Sequence, residues 1–299
     1  MIPGSRASSP PPRSSSDRRR RAAGDLIALV RPGQWPKNLV ALLPLLDPAL
    51  LRWDNLGRTG LAVLAFILAS AAVYVTNDIA DRERDRAHLT KRLRPIASGR
   101  ISPWTAGVLA ALLAAALAVL IGGAVAHWWP LLVYLIVNVA YSFLLKHVPL
   151  VDLFAVASGF VLRLVQGYVA VDSPPSAWLT LCVLAVCLLL VLGKRRHELR
   201  AGGAEHRPSL AGYNEHLVDQ LLVLTAAITL ITYQLYVYTF SASALFTVPF
   251  ALFALFRYLQ VVLVNAGGGS PVRVLLRDRV MLVNAALWLL IYEGGLLHG

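Results

Sequence analysis

NDIADRERDRAHLTKRLRPIASG, residues 77–99, directly follows an apolar run of about 20 residues, the length a helix needs to cross a bilayer core. The stretch carries four acids and seven bases, counting His88, and most of the bases come after the acids. A solvated loop needs only a few charges, so both the number and the order call for a reason. Asn77, Asp81 and Asp85 step by four, and Asp78 precedes Asp85 by seven. At ~100° per residue all four fall within about 100° of arc, on one face of a helix end. Like charges so placed repel unless a cation sits against them. Oxygen ligands with no His or Cys among them suit a hard ion such as Mg2+, which takes one or two carboxylates and completes its shell with water and substrate phosphate. His88, Lys91, Arg92, Arg94 and Arg100 follow as phosphate-binding bases. Acids for metal beside bases for phosphate describe a site for a polyphosphate ester. The plainer alternative is a cytosolic loop with local salt bridges, and Arg82, Arg84 and Arg86, interleaved with the acids, fit that role or contact with lipid headgroups.

Outward from this stretch, the 299 residues are 57% hydrophobic and only 15% charged, with mean hydropathy +0.63. Soluble domains run near about a quarter charged, so the composition specifies an integral membrane protein. Its apolar runs are continuous rather than alternating, which predicts helices, the form that satisfies its own backbone groups in lipid. Nine membrane helices are expected, near 24–51, 58–80, 103–125, 128–145, 150–171, 176–196, 216–239, 243–264 and 275–297. The first is interrupted by Pro32, Pro36, Pro44 and Pro48, so part of it is expected in the interface. Residues 1–22, rich in Pro, Ser and Arg, read as a disordered basic cytoplasmic tail, and 23–299 as a single transmembrane domain. Cys182 and Cys187 lie five apart in one apolar run and read as small core residues.

Of the 28 Lys and Arg, 24 fall on the N-terminal segment and alternate loops, which places those on the cytoplasmic side and the C-terminus outside. The net charge of +12 is therefore explained by topology, anionic lipid and a phosphate site, and nucleic acid is not required. The expected location is the cell membrane, and a homo-oligomer is compatible with the sequence.

Three further polar groups stand out. In YSFLLKHVPLVDLFAVASGFVLRLVQG, residues 141–167, Asp152 and Arg163 are eleven apart and share a helical stripe with Gly159 and, within about 40°, Gln166. Polar residues on one line of an apolar helix face protein or a water-filled cavity. About 16 Å of axial separation argues against direct Asp152–Arg163 pairing. Tyr141, Lys146 and His147 stand at the cytoplasmic end of the same region. RPGQWPKN, residues 31–38, offers Gln34, Lys37 and Asn38 either to substrate or to the interface. GKRRHELR, residues 193–200, offers Lys194 and Arg195 either to phosphate or as a snorkelling basic cluster.

The pattern N-D-x-x-D-x-x-x-D at 77–85 closing the second of nine helices resembles the UbiA superfamily of intramembrane prenyltransferases. Its combination with RPGQWPKN, DRAHLTKRLRPIASG, YSFLLKHVPLVD with Arg163 beyond it, and GKRRHEL resembles the phosphoribosyl-transferring branch. The likeness implies an all-α, nine-helix bundle with a cytoplasm-facing active-site cavity. It implies Mg2+ on Asn77, Asp78, Asp81 and Asp85, with Asp81, Asp85, Asp152 and Arg163 as the catalytic set. The implied reaction is transfer of 5-phosphoribose from 5-phosphoribosyl 1-diphosphate to a polyprenyl phosphate, with inversion at C1, supplying an arabinose donor for a mycobacterial-type envelope. Lys91, Arg92 and Arg94 would meet donor phosphates. Tyr141, Lys146 and Arg163 would position donor or acceptor, and Lys37 the lipid phosphate. Asp152 would bind metal or a ribose hydroxyl. One departure bears on the branch: four residues after Asp152, where aromatic prenyltransferases of the superfamily carry a second Asp, stands Val156. Prenyl transfer from a lipid diphosphate to an aromatic acceptor is the alternative reaction, and a transporter of a phosphorylated solute the non-enzyme alternative.

Overall fold

The computed structural model describes residues 23–297 apart from 89, 124, 202–207, 240–241 and 265–277. The expected tail, and Arg207, Arg273 and Arg277 among the counted cations, lie outside the described residues. Every regular element among those described is helical. The described residues fall into two compact units, those within 1–36 and 67–120, and those within 37–66 and 121–299.

Among the described residues, seven helical stretches are long and apolar enough to cross a membrane: Trp53–Ala80, Pro103–Ile121, Val125–Phe143, Val151–Ala170, Ala177–Arg200, Glu215–Tyr238 and Ala244–Leu263. The helices are numbered α1 (Trp53–Ala80), α2 (Arg82–Ala87), α3 (Pro103–Ile121), α4 (Trp129–Phe143), α5 (Val151–Ala170), α6 (Ala177–Arg200), α7 (Glu215–Tyr238), α8 (Val248–Leu263) and α9 (Arg279–Leu297). Two of the nine expected crossings fall short of that standard among the described residues. The apolar part of α9, Arg279–Tyr292, is shorter. The expected first span, 24–51, contains instead a 3-10 helix over Pro32–Leu46. Pro36 and Pro44 lack an N–H and would clash with the carbonyl four residues back, which excludes an uninterrupted α-helix there.

In the first unit, the core is Leu29, Val75, Ile96, Ile101, Ala106 and Ala110. Thr76, exposed on α1, donates its hydroxyl to Ala72 O at 3.0 Å, so its polar group is satisfied within the helix.

The second unit holds α4 to α9. Asn214 caps α7 by accepting the Leu217 N–H at 2.7 Å, and Ser176 caps α6 by accepting that of Leu179 at 3.4 Å. Leu153, Leu189, Leu192, Val218, Leu222 and Val262 form the centre of its core. Arg196, 4% exposed, ties three helices together: it forks onto Asp219 at 2.5 and 3.2 Å and donates to Val262 O at 2.9 Å. At Gly167 the Pro32–Leu46 segment comes so close that an added Cβ would overlap the carbonyl of Ala41. Leu150, immediately before α5, takes a left-handed φ of 65°, and its N–H is held by Tyr213 Oη at 2.6 Å. That contact fixes the entry of α5 and with it the position of Asp152.

Candidate functional site

Among the described residues of the first unit, the buried charged side chains gather at the end of α1. α1 ends at Ala80 and α2 begins at Arg82, but the amide bonds Asp81 N to Asn77 O and Asp85 N to Asp81 O, both 2.8 Å, carry the helical repeat across the break. Asp78 and Asp85, seven apart, therefore stay on one side. Both are buried, at 4% and 3% exposure, and Arg94 Nη1 bridges them at 3.0 Å and 2.6 Å. Arg31 adds a second guanidinium on Asp78 Oδ1 at 2.5 Å and lies over the Tyr74 ring at 4.8 Å.

The expected single face of four ligands is corrected in one respect. Asp81 occupies the break, its side chain is 38% exposed, and its cationic neighbour is Arg84 at 3.9 Å. Two acids converge rather than three, and among the described residues no three His, Cys, Asp or Glu side chains gather as a metal site. The interleaved bases are local neutralisers in part: Arg82 and Arg86 both bond Glu83, and the hydrogen bond from Arg82 holds that exposed carboxyl below its ordinary range. Arg100 pairs with Asp25 at 3.0 Å, and His88 Nδ1 accepts the Thr90 N–H at 3.2 Å. Lys91 and Arg92 are exposed in a one-turn 3-10 helix that Arg94 closes.

The second unit contains two clusters on α5. Asp152 and Arg163 have separate partners. Asp152, with no exposed surface, accepts from Tyr213 Oη at 2.7 Å, Arg195 Nε at 3.2 Å and Ser209 Oγ at 3.2 Å. Arg195, 2% exposed, turns its other arm to Glu198 at 2.6 Å. Burial and the hydrogen bond given to Asp152 push the Tyr213 phenol well above its ordinary range, so it is the neutral donor in this cage.

Arg163, 5% exposed, has no carboxylate partner among the described residues. It donates to Asn38 Oδ1 at 2.7 Å, Gly159 O at 2.6 Å and Tyr134 Oη at 3.1 Å. The rings of Tyr134, Phe66 and Phe160 lie 4.6, 5.2 and 5.4 Å from its guanidinium carbon. Gly159 leaves the room, since a Cβ there would stand 3.3 Å from Arg163 Nη1. Asn38 Nδ2, buried beside it, has no acceptor. A buried cation whose neighbours among the described residues are neutral oxygens and ring faces is one that can pair with an anion.

Gln34 and Lys37 are half-buried in the Pro32–Leu46 segment, with Trp35 donating to Val30 O at 3.1 Å. Tyr141 lies near the end of α4, half-buried, with Lys146 half-buried and His147 exposed in the turn that follows. Lys194 is exposed on α6, 3.7 Å from Glu198. Sequence reasoning passed over Arg31, Tyr134, Ser209 and Tyr213. Arg31 alone carried a signal, as the first residue of the quoted RPGQWPKN motif.

Acids bridged by guanidinium at one helix end, and an arginine buried in a spanning helix with no carboxylate partner among the described residues, are arrangements that can hold phosphate groups. Comparison with known proteins narrows this. The sequence pattern of the UbiA prenyltransferase family matches residues 43–276. A decaprenyl-phosphate phosphoribosyltransferase of Mycolicibacterium smegmatis is 34% identical over 298 residues, spanning 88% of this chain and 90% of that protein. Its counterpart from Corynebacterium glutamicum is 31% identical over 283 residues, spanning 89% and 85%. Among solved structures, a UbiA homolog from Archaeoglobus fulgidus bound to GPP and Mg2+ superposes with a TM-score of 0.68 at 17% identity, over 91% of this chain and 99% of that one. The chain belongs to the UbiA prenyltransferase family and is a transferase.

Proposed function

We propose that this protein transfers 5-phosphoribose from 5-phosphoribosyl 1-diphosphate to a polyprenyl phosphate, releasing diphosphate and forming 5-phosphoribosyl-1-phosphoryl-polyprenol. The observation that carries the reading is Arg163. A guanidinium whose partners among the described residues are neutral, buried in a spanning helix, suits an acceptor that is itself an anion, as a lipid phosphate is and a neutral aromatic ring is not. Two features support it further. The curated relatives carry this activity in their names. Asp152, which an aromatic prenyltransferase would commit to a second metal-binding pair, is enclosed by Arg195, Ser209 and Tyr213, with Val156 four residues on.

Asp78 and Asp85 would hold a divalent metal, with Asn77 and Asp81 adjoining. The donor set fits: it is all oxygen, and its two buried carboxylates already straddle one cationic nitrogen of Arg94. A divalent ion bound there would neutralise the leaving diphosphate. The chain's own residues do the rest. Lys91, Arg92 and Arg94 bind donor phosphates. Arg163, held in plane by Asn38, Gly159 and Tyr134, binds and orients the acceptor phosphate. The C1–O bond to diphosphate breaks, positive charge builds at C1, and an oxygen of the lipid phosphate forms the new bond. That oxygen is already anionic, so no strong general base is required. Lys37, Tyr141, Lys146, His147, Gln34 and Lys194 are assigned to substrate positioning. The distribution of Lys and Arg supports a cell-membrane protein whose charged loops are cytoplasmic, so the water-soluble donor arrives from that side.

The test is a substrate swap on purified protein with Mg2+. Phosphoribosyl diphosphate with polyprenyl phosphate is expected to give a ribosylated lipid and free diphosphate. Product only from polyprenyl diphosphate with 4-hydroxybenzoate would overturn the assignment.

A further inference from the structure

We propose that Arg31 and Arg94 are exchangeable counter-cations: they neutralise Asp78 and Asp85 while no metal is bound and turn to the diphosphate of the substrate once it is. The inference rests on the metal and diphosphate part of the proposed function, and not on which group is transferred.

Both carboxylates are almost fully buried and need positive charge; a buried carboxylate without it is strongly disfavoured. In this state the positive charge is supplied by Arg94 across the pair and by Arg31 on Asp78. Those are the oxygens a divalent ion would take, so ion and guanidinium compete for the same lone pairs. Neither arginine is entombed. Their side chains are 30% and 29% exposed, against 5% and 4% for the acids they hold. Each can therefore swing out without unpacking the core, on a stem whose head prefers a forked contact with phosphate. Arg31 shows a second mark of a built position. Its φ of 49° is in the left-handed region, which a non-glycine residue adopts only at an energetic cost. The following Pro32 disfavours the ordinary helical alternative at that position. The strained backbone and the Tyr74 ring at 4.8 Å together hold this guanidinium beside Asp78. The consequence is ordered binding: metal displaces the arginines, and the displaced arginines then complete the anion site.

The experiment measures Mn2+ binding and inorganic diphosphate binding separately, by calorimetry on the purified full chain, in wild type, Arg94→Met, Arg31→Met and Arg94→Lys. With metal alone, Arg94→Met is expected to bind Mn2+ about tenfold tighter, the scale set by losing one charge-assisted competitor. With saturating Mn2+, the same variant is expected to bind diphosphate about tenfold more weakly. Arg31→Met should move both in the same directions by less, and Arg94→Lys should lie between Arg94→Met and wild type. Thermal midpoints with and without Mn2+ give a second readout: the metal should raise the midpoint of Arg94→Met more than that of wild type. If Arg94→Met binds Mn2+ as wild type does or more weakly, or if diphosphate binding is unchanged, the exchange is wrong and the arginines are structural ties. Normal exchange in a protein that rejects phosphoribosyl diphosphate would instead overturn the proposed reaction and leave this inference standing.

Discussion

Replacing Asp152 with Asn separates two roles that a carboxylate on a spanning helix can have. In the structure Asp152 has no exposed surface and its oxygens are taken by Arg195, Ser209 and Tyr213. Asn keeps the shape but removes the charge opposite a guanidinium that is 2% exposed. Breaking one side of a buried pair costs about 3–5 kcal/mol, because the remaining charge stays desolvated. Glu198, 2.6 Å from the other arm of Arg195, retains part of the compensation, so the low end applies. About 3 kcal/mol corresponds to a fall of about 6–12 °C in thermal midpoint for a chain of this order. The assay is a thermal-shift curve in detergent, read beside turnover of the protein that remains folded. Adding Arg195→Met to Asp152→Asn should restore most of the midpoint, because an apolar side chain needs no partner there. An Asp152→Asn protein with an unchanged midpoint and lost turnover would refute the reasoning, and would move Asp152 to the substrate or its metal.

Three other outcomes follow from the geometry. Arg163→Lys should fold normally yet lose about 10–100-fold in kcat/KM for the lipid phosphate, since an ammonium cannot serve Asn38, Gly159 and Tyr134 and an anion together; rate measurements at varied acceptor concentration check this. Gly167→Ala should destabilise by about 1–3 kcal/mol through overlap with the Ala41 carbonyl, visible as a lower thermal midpoint with turnover intact in the folded fraction. Tyr213 has a raised phenol pKa, so above an ordinary value of 10.0 the unfolded chain releases a proton that the folded chain keeps. Its contribution is complete below that pH and is lost as pH rises beyond it, so Tyr213→Phe should flatten the alkaline fall in stability measured by thermal shift.

What could be read in the sequence was whatever depends on local period or on composition. Asp78 and Asp85 were seven apart, and the helical repeat survives the break at Asp81 well enough to keep them together. Asp152 and Arg163 were placed on one interior stripe of α5 by the same arithmetic, and both are buried. The partners of Asp152 were not legible, because Arg195, Ser209 and Tyr213 stand 43, 57 and 61 residues away and only tertiary packing brings them in. Tyr134 read as one more aromatic in an apolar run, with nothing local to tie it to Arg163. Prolines announced that 24–51 could not be an uninterrupted α-helix, yet exclusion of one conformation does not name its replacement. Arg31 reads in the sequence as one more cation of the N-terminal segment, and its contact with Asp78 depends on a left-handed turn that no periodicity encodes.

The fork of Arg196 has a mechanical consequence. One side chain on α6 holds both oxygens of Asp219 on α7 and the backbone carbonyl of Val262 on α8. Separating α6 from α7 would strand the buried charge of Arg196, and withdrawing α8 would cost it the Val262 carbonyl, so the three should open together. In amide exchange they would behave as one cooperative block with a shared opening free energy, and the slowest-exchanging protons of the second unit should be found there. A transferase anchored in a fluid bilayer thereby keeps one part of its helical frame rigid without help from the surrounding lipid.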